Sequence, residues 1–443
     1  MDENRQKVPR RIAQTVLNSL KGGVVPRIGL PYITVGRKNE IEALLHDVDI
    51  IAEGGASFRF IVGRYGSGKS FLLQTIRNYV MERGFVVADC DLSPERRLQG
   101  TRGQGLATYR ELIGNLSTKT KPEGGALTLI LDRWISAVQA EAVAATGLLP
   151  GDPALQAEVD KRIVAVTASV SELVHGFEFA RLLSLYYHAS MEGDDATKGK
   201  VVRWFRAEYT LKKEAREELG VSILITDDVW YDYLKLFAAF FRLAGYSGMM
   251  IMIDELVNLY KIPNTVTRQY NYEKLLSMYN DALQGKASYL GILMGLTPQA
   301  LEDRRRGLYS YEALRSRLAE GKFSRPGARD LLAPVIRLDP LTAEEMLVLC
   351  EKLASMHAQL YGSERRVTTE ELGDFIRLEF GRIGSDTNIT PREVIRDFIE
   401  LLDLLYQDST LTAAGILGSE EFSFAKSEAV SDETDTPYVE FTL

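Results

Sequence analysis

Blocks of apolar and polar residues along this chain predict an α/β protein. Short runs dominated by apolar residues predict buried strands at 58–62, 85–88, 248–253, 289–297 and 334–338. Helical patterns separate these runs, which is typical of a parallel sheet with helices on both faces. The pattern therefore predicts an αβα fold built on a parallel sheet.

Apolar positions that recur every 3.6 residues predict the helices between and after the strands. A helix is expected over 41–51. The region from about 100 to 248 is helical and longer than one crossover of a compact core requires, so we interpret most of it as a helical insertion. From 342 onward only helices are expected. Capping-box patterns begin them at Thr342, Thr368 and Thr390.

Composition narrows the class of protein further. Hydrophobic residues at 45% and charged residues at 26% are ordinary for a globular protein. No run of about 18 apolar residues lacks a charge, and the most apolar region, 234–253, is interrupted by Lys235 and Arg242. The N-terminus carries charges before any apolar run, unlike a secretory signal. We therefore expect a cytoplasmic protein without membrane contact.

Cysteine, histidine and net charge limit the chemistry that the chain can support. The two cysteines, Cys90 and Cys350, lie far apart within apolar patterns, so we expect buried thiols rather than a disulfide or a zinc site. The four histidines have no metal-ligand spacing. A net charge of −8 and a pI near 5.4 mean that contact with DNA would need a local basic patch.

Residues 63–70 match the phosphate-binding pattern G-x-x-x-x-G-K-S/T, between the predicted strand 58–62 and a helix. Glycines let backbone N–H groups converge on phosphate oxygens, and the helix N-terminus adds positive potential. We expect Lys69 to reach the β- and γ-phosphates of ATP and the Ser70 hydroxyl to bind Mg²⁺. The alternative is a glycine turn that merely links strand and helix. The predicted nucleotide-binding residues are Gly63, Arg64, Tyr65, Gly66, Ser67, Gly68, Lys69, Ser70 and Phe71.

Another nucleotide signature follows the predicted strand 248–253. Asp254 is expected to hold Mg²⁺ through water, and Glu255 to orient or deprotonate the attacking water. The alternative is a strand that simply ends in acidic solvent. Thr297, at the end of the next strand, is predicted to bond the attacking water or the γ-phosphate, as sensor 1 of AAA+ ATPases does, unless it only satisfies local backbone groups.

Arginines cluster between the last two predicted strands, at Arg304, Arg305, Arg306, Arg315 and Arg317. In AAA+ proteins this region faces the neighbouring subunit, where an arginine stabilises charge on the transferring phosphoryl group. We predict Arg315 and Arg317 for that role, the alternative being a solvated basic helix paired with acids. Arg392, in the predicted helical lid, is expected to contact phosphates in a sensor-2 role, and the helix dipole disfavours an unpaired cation in the first turn of a helix. Its alternative is an ordinary charge on a helix face.

Several runs of residues resemble the BrxC/BrxD family of P-loop ATPases from bacterial BREX phage-defence systems. These runs are 22–27, 35–37, 62–73, 91–97, 305–315 and 390–393. The resemblance implies an AAA+-like fold related to initiator ATPases. The run Val35, Gly36 and Arg37 is similar to the N-terminal box of those ATPases, which packs near the adenine. The alternative for this run is an ordinary charged helix start.

The resemblance also implies a role in antiviral defence, beside a DNA helicase partner. We therefore expect Mg²⁺-dependent hydrolysis of ATP by a homo-oligomer that couples it to DNA or to a DNA-acting partner. A nucleotide-gated signalling switch or scaffold with little turnover is the competing interpretation. The predicted regions are an N-terminal segment with the adenine-side box at 1–57, the ATPase core at 58–341, a helical lid at 342–418 and an acidic flexible tail at 419–443.

Overall fold

The structure, a computed structural model, describes most of the 443-residue chain. The described residues are 7–149, 151–321, 330–381 and 390–418. The predicted acidic tail, 419–443, lies outside them.

The chain forms two compact units. The larger unit comprises residues 25–341 and 390–392. The smaller unit comprises the described residues 7–24, 342–381 and 393–418. The first boundary between the units lies between residues 24 and 25. Within the smaller unit, the Gln359 side chain bonds both the N–H (3.3 Å) and the carbonyl (2.8 Å) of Val8.

A five-stranded parallel sheet lies at the centre of the larger unit. Its strands are β1 (Ala56–Val62), β2 (Val86–Asp91), β3 (Met249–Asp254), β4 (Leu290–Leu296) and β5 (Val335–Arg337). They are ordered β2–β3–β4–β1–β5. Because every neighbouring pair is parallel, the carboxyl ends of all the strands lie at one edge of the sheet. The predicted α/β class and its strands are confirmed.

Helices of the larger unit connect these strands. Before β1 lie α2 (Leu30–Ile33) and α3 (Lys38–Ala52), and α4 (Lys69–Glu82) joins β1 to β2. Between β2 and β3 the chain forms α5 (Gln104–Gly114), α6 (Leu127–Thr146), α7 (Pro153–Ser171), α8 (Gly176–Glu192), α9 (Asp195–Phe205), α10 (Lys212–Leu219) and α11 (Trp230–Leu243). Between β3 and β5 lie α12 (Val257–Tyr260), α13 (Thr265–Leu283), α14 (Pro298–Glu302), a 3₁₀ turn (Leu308–Ser310) and α15 (Glu312–Leu318).

Successive side chains of each strand enter two separate apolar cores, one on each face of the sheet. On one face, Ile61 and Val87 pack with α3 and α4. On the other face, Phe60 and Ala88 belong to a core that continues through α5 to α11. The predicted helical insertion is thus an extension of one sheet face, and its buried aromatic residues form that core.

The smaller unit is helical. It contains α1 (Arg10–Lys21), α16 (Ala343–Tyr361), α17 (Thr369–Gly381), α18 (Pro391–Gln407, after its first two residues) and α19 (Ala413–Leu417). The predicted capping box at Thr342 is present, since its hydroxyl accepts from the Glu345 N–H at 3.1 Å and the Glu345 carboxylate accepts from the Thr342 N–H at 2.9 Å. Thr368 and Glu371 form the same arrangement.

Two further predictions concern the whole chain. Cys90 and Cys350 are both buried free thiols, as expected. In the described part of the chain, every helix is too short or too polar to cross a membrane.

Candidate nucleotide-binding site

The predicted phosphate-binding residues form a loop between the end of β1 and the start of α4. We call residues 63–68 the glycine loop. Lys69 is the first residue of α4, and its Nζ donates to the Arg64 carbonyl of the loop at 3.0 Å. The Lys69 side chain is buried, and this burial lowers its pKa against the opposing charges of Asp254 and Glu255. A buried ammonium group directed at the loop would be stabilised by an anion there.

Ser67 gives an independent indication that the glycine loop accepts a ligand. Its hydroxyl is buried, and within the described residues it has no hydrogen-bond partner. Buried hydroxyl groups usually do find partners, so a free one requires an explanation. A phosphate oxygen in the loop would accept its proton. The donors present therefore fit the triphosphate of ATP.

The start of α4 and the end of β3 meet at the carboxyl edge of the sheet. Ser70 Oγ donates to Asp254 Oδ2 at 2.6 Å. Asp254 is buried at the last position of β3. Gly295 of β4 leaves space for it, because a Cβ at residue 295 would lie 2.1 Å from Asp254 Oδ1. A hydroxyl and a carboxylate at this distance are oxygen ligands of the kind that Mg²⁺ takes together with phosphate and water.

Glu255 follows Asp254 in an uncommon backbone conformation. Its φ is +58°, in the left-handed region that non-glycine residues rarely adopt. Its N–H donates to Asp254 Oδ1 at 2.8 Å. Burial raises the pKa of Glu255, and the charges of Asp254 and Asp91 raise it further while Lys69 opposes them. Glu255 is therefore a stronger base than an exposed glutamate.

Asp91 is a residue of this edge that the sequence interpretation did not select. It ends β2 and is paired in register with Asp254 of β3. Burial raises its pKa, and so does the charge of Asp254. The sequence places an acid at the end of a predicted strand, but only the strand order reveals that this strand lies beside β3.

Arg37 is connected to the glycine loop through the backbone. Its guanidinium group is buried and donates to the carbonyl of Ser67 at 3.1 Å and to that of Asp339 at 2.7 Å. It also lies 3.4 Å from Glu40 Oε1. The structure thus brings Arg37 to the loop, with its donors directed at protein carbonyls. The adenine-side role of Val35, Gly36 and Arg37 stays a prediction.

Thr297 lies after β4 and caps α14. Its hydroxyl oxygen accepts from the Ala300 N–H at 3.2 Å. This bond corresponds to the local backbone role given above as the alternative, although it leaves the hydroxyl proton able to donate. The sensor role of Thr297 stays a prediction.

The structure places the arginines in two different settings. Arg315 lies 3.6 Å from Glu312, and Arg317 donates to the Ala313 carbonyl at 2.8 Å, so both interact within their own helix. Arg392 groups with the larger unit, and its charge contributes to the lowered pKa of Lys69. Nearby, Thr390 packs so closely on the glycine loop that a Cβ on Gly66 would lie 2.5 Å from the Thr390 Cβ.

A family model described as "BREX system ATP-binding protein BrxC/D" matches residues 8–421. A search of curated proteins gives no match. The match spans most of the 443 residues, and it supports ATP binding in an antiviral BREX system. The family resemblance of the sequence is confirmed, and the chain belongs to the BrxC/D family of BREX system ATP-binding proteins.

Proposed function

We propose that this protein is a Mg²⁺-dependent ATPase of the AAA+ type, which couples ATP binding and hydrolysis to DNA or to a DNA-acting partner in antiphage defence. The observation that carries the proposal is the 2.6 Å bond between Ser70 Oγ and Asp254 Oδ2. It joins the first turn of the helix after the glycine loop to the strand end that precedes Glu255. Phosphate-binding, metal-binding and base groups are thereby adjacent.

Each residue of this edge has a distinct role in the proposal. Lys69 and the Ser67 hydroxyl bind phosphate oxygens, and Arg392 adds positive charge beside Lys69. Ser70 and Asp254 hold Mg²⁺, which when bound would neutralise charge on the β- and γ-phosphates. Glu255 orients the attacking water and accepts its proton, a task to which its raised pKa is suited.

Subunit contacts and coupling to DNA form the outer part of the proposal. The described ion pair of Arg315 and the described hydrogen bond of Arg317 are both made within their own helix. Either side chain can therefore turn towards a neighbouring subunit at little cost. A homo-oligomer in which they reach the next active site follows from the AAA+ assignment. The partner in this proposal is a helicase or another defence protein, as the resemblance of the sequence implies.

ATP hydrolysis by the wild-type protein and by Glu255→Gln tests the proposal. We expect wild-type turnover to require Mg²⁺ and to stop with chelator. Glu255→Gln should bind ATP normally. Because general-base catalysis contributes about 10²–10⁴-fold to the rate, the variant should lose at least about 100-fold in kcat. Glu273→Gln, an exposed residue of α13, is the matched control.

Three outcomes would count against parts of the proposal. Near-normal turnover by Glu255→Gln would remove the base assignment. Slow wild-type turnover, unchanged by DNA or by partner proteins, would favour the nucleotide-gated switch. A monomer mass in solution, with ATP and at the concentration of the assay, would contradict catalysis across subunits.

A further inference from the structure

The strained backbone of Glu255 is held at both ends by specific hydrogen bonds. Its N–H is fixed by Asp254 Oδ1 at 2.8 Å. Its carbonyl accepts from the backbone N–H of Asn258 at 3.0 Å and from the Asn258 side-chain amide at 3.3 Å. A left-handed glutamate persists only where the surroundings compensate its cost. Asn258 supplies part of that compensation.

The amide of Asn258 also has a second, shorter anchor. Its Nδ2 donates to the carbonyl of Leu92 at 2.8 Å. Leu92 directly follows β2, and its own N–H donates to the Asp254 carbonyl at 3.0 Å. The side chain of Asn258 therefore lies between the ends of β2 and β3, with one amide nitrogen shared between the two carbonyls.

The backbone bond from Asn258 to Glu255 would form with almost any residue at 258, because it is part of the turn into α12. The side-chain bonds are different, since they need a donor of the length of asparagine. Alanine would keep the turn and lose both amide bonds. The two contributions can therefore be separated experimentally.

We propose that Asn258 is a positioning residue that holds Glu255 in its left-handed conformation by bonding the carbonyls of Glu255 and Leu92. The proposal rests on the assignment of Glu255 as the base of the ATPase. Asn258 contacts the backbone of Glu255, so it acts through Glu255 and not on the substrate. Without it, the carboxylate of Glu255 is displaced from the position where it meets the attacking water.

Steady-state kinetics of Asn258→Ala in two backgrounds tests this proposal. A displacement of about 1 Å can cost about 100-fold in rate, so we expect kcat to fall by about 10- to 100-fold while KM for ATP changes by less than about 2-fold. In the Glu255→Gln background, Asn258→Ala should cause no further loss, because the residue it positions is already inactive. Asn280→Ala, in the half-buried surface of α13, is the matched control.

Asn258→Asp separates the hydrogen-bond donor from the size of the side chain. It keeps the shape but places a carboxylate oxygen against the carbonyls of Leu92 and Glu255, so we expect a loss of kcat at least as large as for alanine. Full activity of either variant would overturn the proposal. An equal loss from Asn258→Ala in both backgrounds would also overturn it, since a general structural role would act independently of Glu255.

A crystal structure of Asn258→Ala gives a readout that does not depend on turnover. We expect the φ of residue 255 to leave the positive region found in the wild-type chain. An unchanged φ would contradict the role of Asn258. If the wild-type protein binds ATP but does not hydrolyse it, the proposed function fails, and this structure still decides whether Asn258 holds Glu255.

Discussion

Two regions of the larger unit, the nucleotide edge (Ser70, Asp254 and Glu255) and the arginine segment (304–317), differ in where their polar side chains find partners. At the nucleotide edge, Ser70 of α4 and Glu255, which directly follows β3, are both hydrogen-bonded to Asp254 at the end of β3. In the arginine segment, 304–317, the described ion pair of Arg315 and hydrogen bond of Arg317 are made with residues of α15 itself. One region is assembled by the fold, and the other is presented at its surface.

Burial explains why the two regions need different binding partners. Lys69 is buried, and the desolvation that lowers its pKa is a cost that a bound anion would relieve. The Arg315 side chain is 43% exposed, so water already satisfies it. The nucleotide edge therefore calls for a small ligand. The arginine segment acquires a function only if another surface approaches it.

Lys69→Ala gives the largest expected effect and tests the nucleotide edge alone. Hydrogen bonds to charged groups contribute about 1.5–3 kcal/mol each. Because Lys69 is expected to bond both the β- and γ-phosphates, ATP affinity should fall by about three orders of magnitude. Titration with a non-hydrolysable analogue measures this, with Lys38→Ala as control, since that lysine is exposed at the start of α3. Undiminished affinity would refute the assignment.

Arg315→Ala and Arg317→Ala test the other half of the comparison. If one of them acts on a neighbouring subunit, that variant should bind ATP normally and lose about 10³-fold in kcat. Mixing it with Lys69→Ala should restore part of the activity, because some active sites then combine an intact Lys69 with an intact arginine. Arg216→Ala, exposed on α10, is the control. Failure to restore activity in any mixture would contradict catalysis in trans.

The same contrast explains what the sequence could predict. The strands are encoded in consecutive apolar residues, and the structure confirms them. The glycine loop and Asp254 are short local patterns, and the structure places them at the ends of β1 and β3. Gly295 and Asp91 were not predicted as site residues, because their proximity to Asp254 depends on the order β2–β3–β4. Strand order is set by the packing of the whole chain.

The backbone conformation of Glu255 and the long-range hydrogen bonds of Arg37 also could not be predicted from the sequence. Nothing in the sequence around Glu255 indicates a positive φ, because the residues that compensate it, Asp254 and Asn258, are ordinary for a strand end and a turn. Arg37 was assigned from a family resemblance. Its bonds to the carbonyls of Ser67 and Asp339 join segments that are remote in sequence.

The pH dependence of kcat/KM, which reports the ionisation of the free enzyme, gives the smallest expected effect and separates the carboxylates of the nucleotide edge. Glu255 must be ionised to accept a proton, so kcat/KM should fall as the pH drops through its pKa. That pKa is raised by burial and by Asp254, with a further contribution from Asp91. The acidic limb should therefore lie above the ordinary range of a glutamate, and it should be absent from Glu255→Gln.

Asp91→Asn removes one of the negative charges that raise the pKa of Glu255. The ionised form of Glu255 then becomes easier to reach, so the acidic limb of kcat/KM should move to lower pH. The pKa of Asp91 is itself raised, so the variant and the wild type should converge at pH values where Asp91 is protonated. Asp195→Asn, at an acid that is 93% exposed on the insertion, should leave the limb in place. A limb that stays in place, or moves to higher pH, in Asp91→Asn would mean that the edge of β2 is electrostatically separate from the base, and that the nucleotide edge ends at β3.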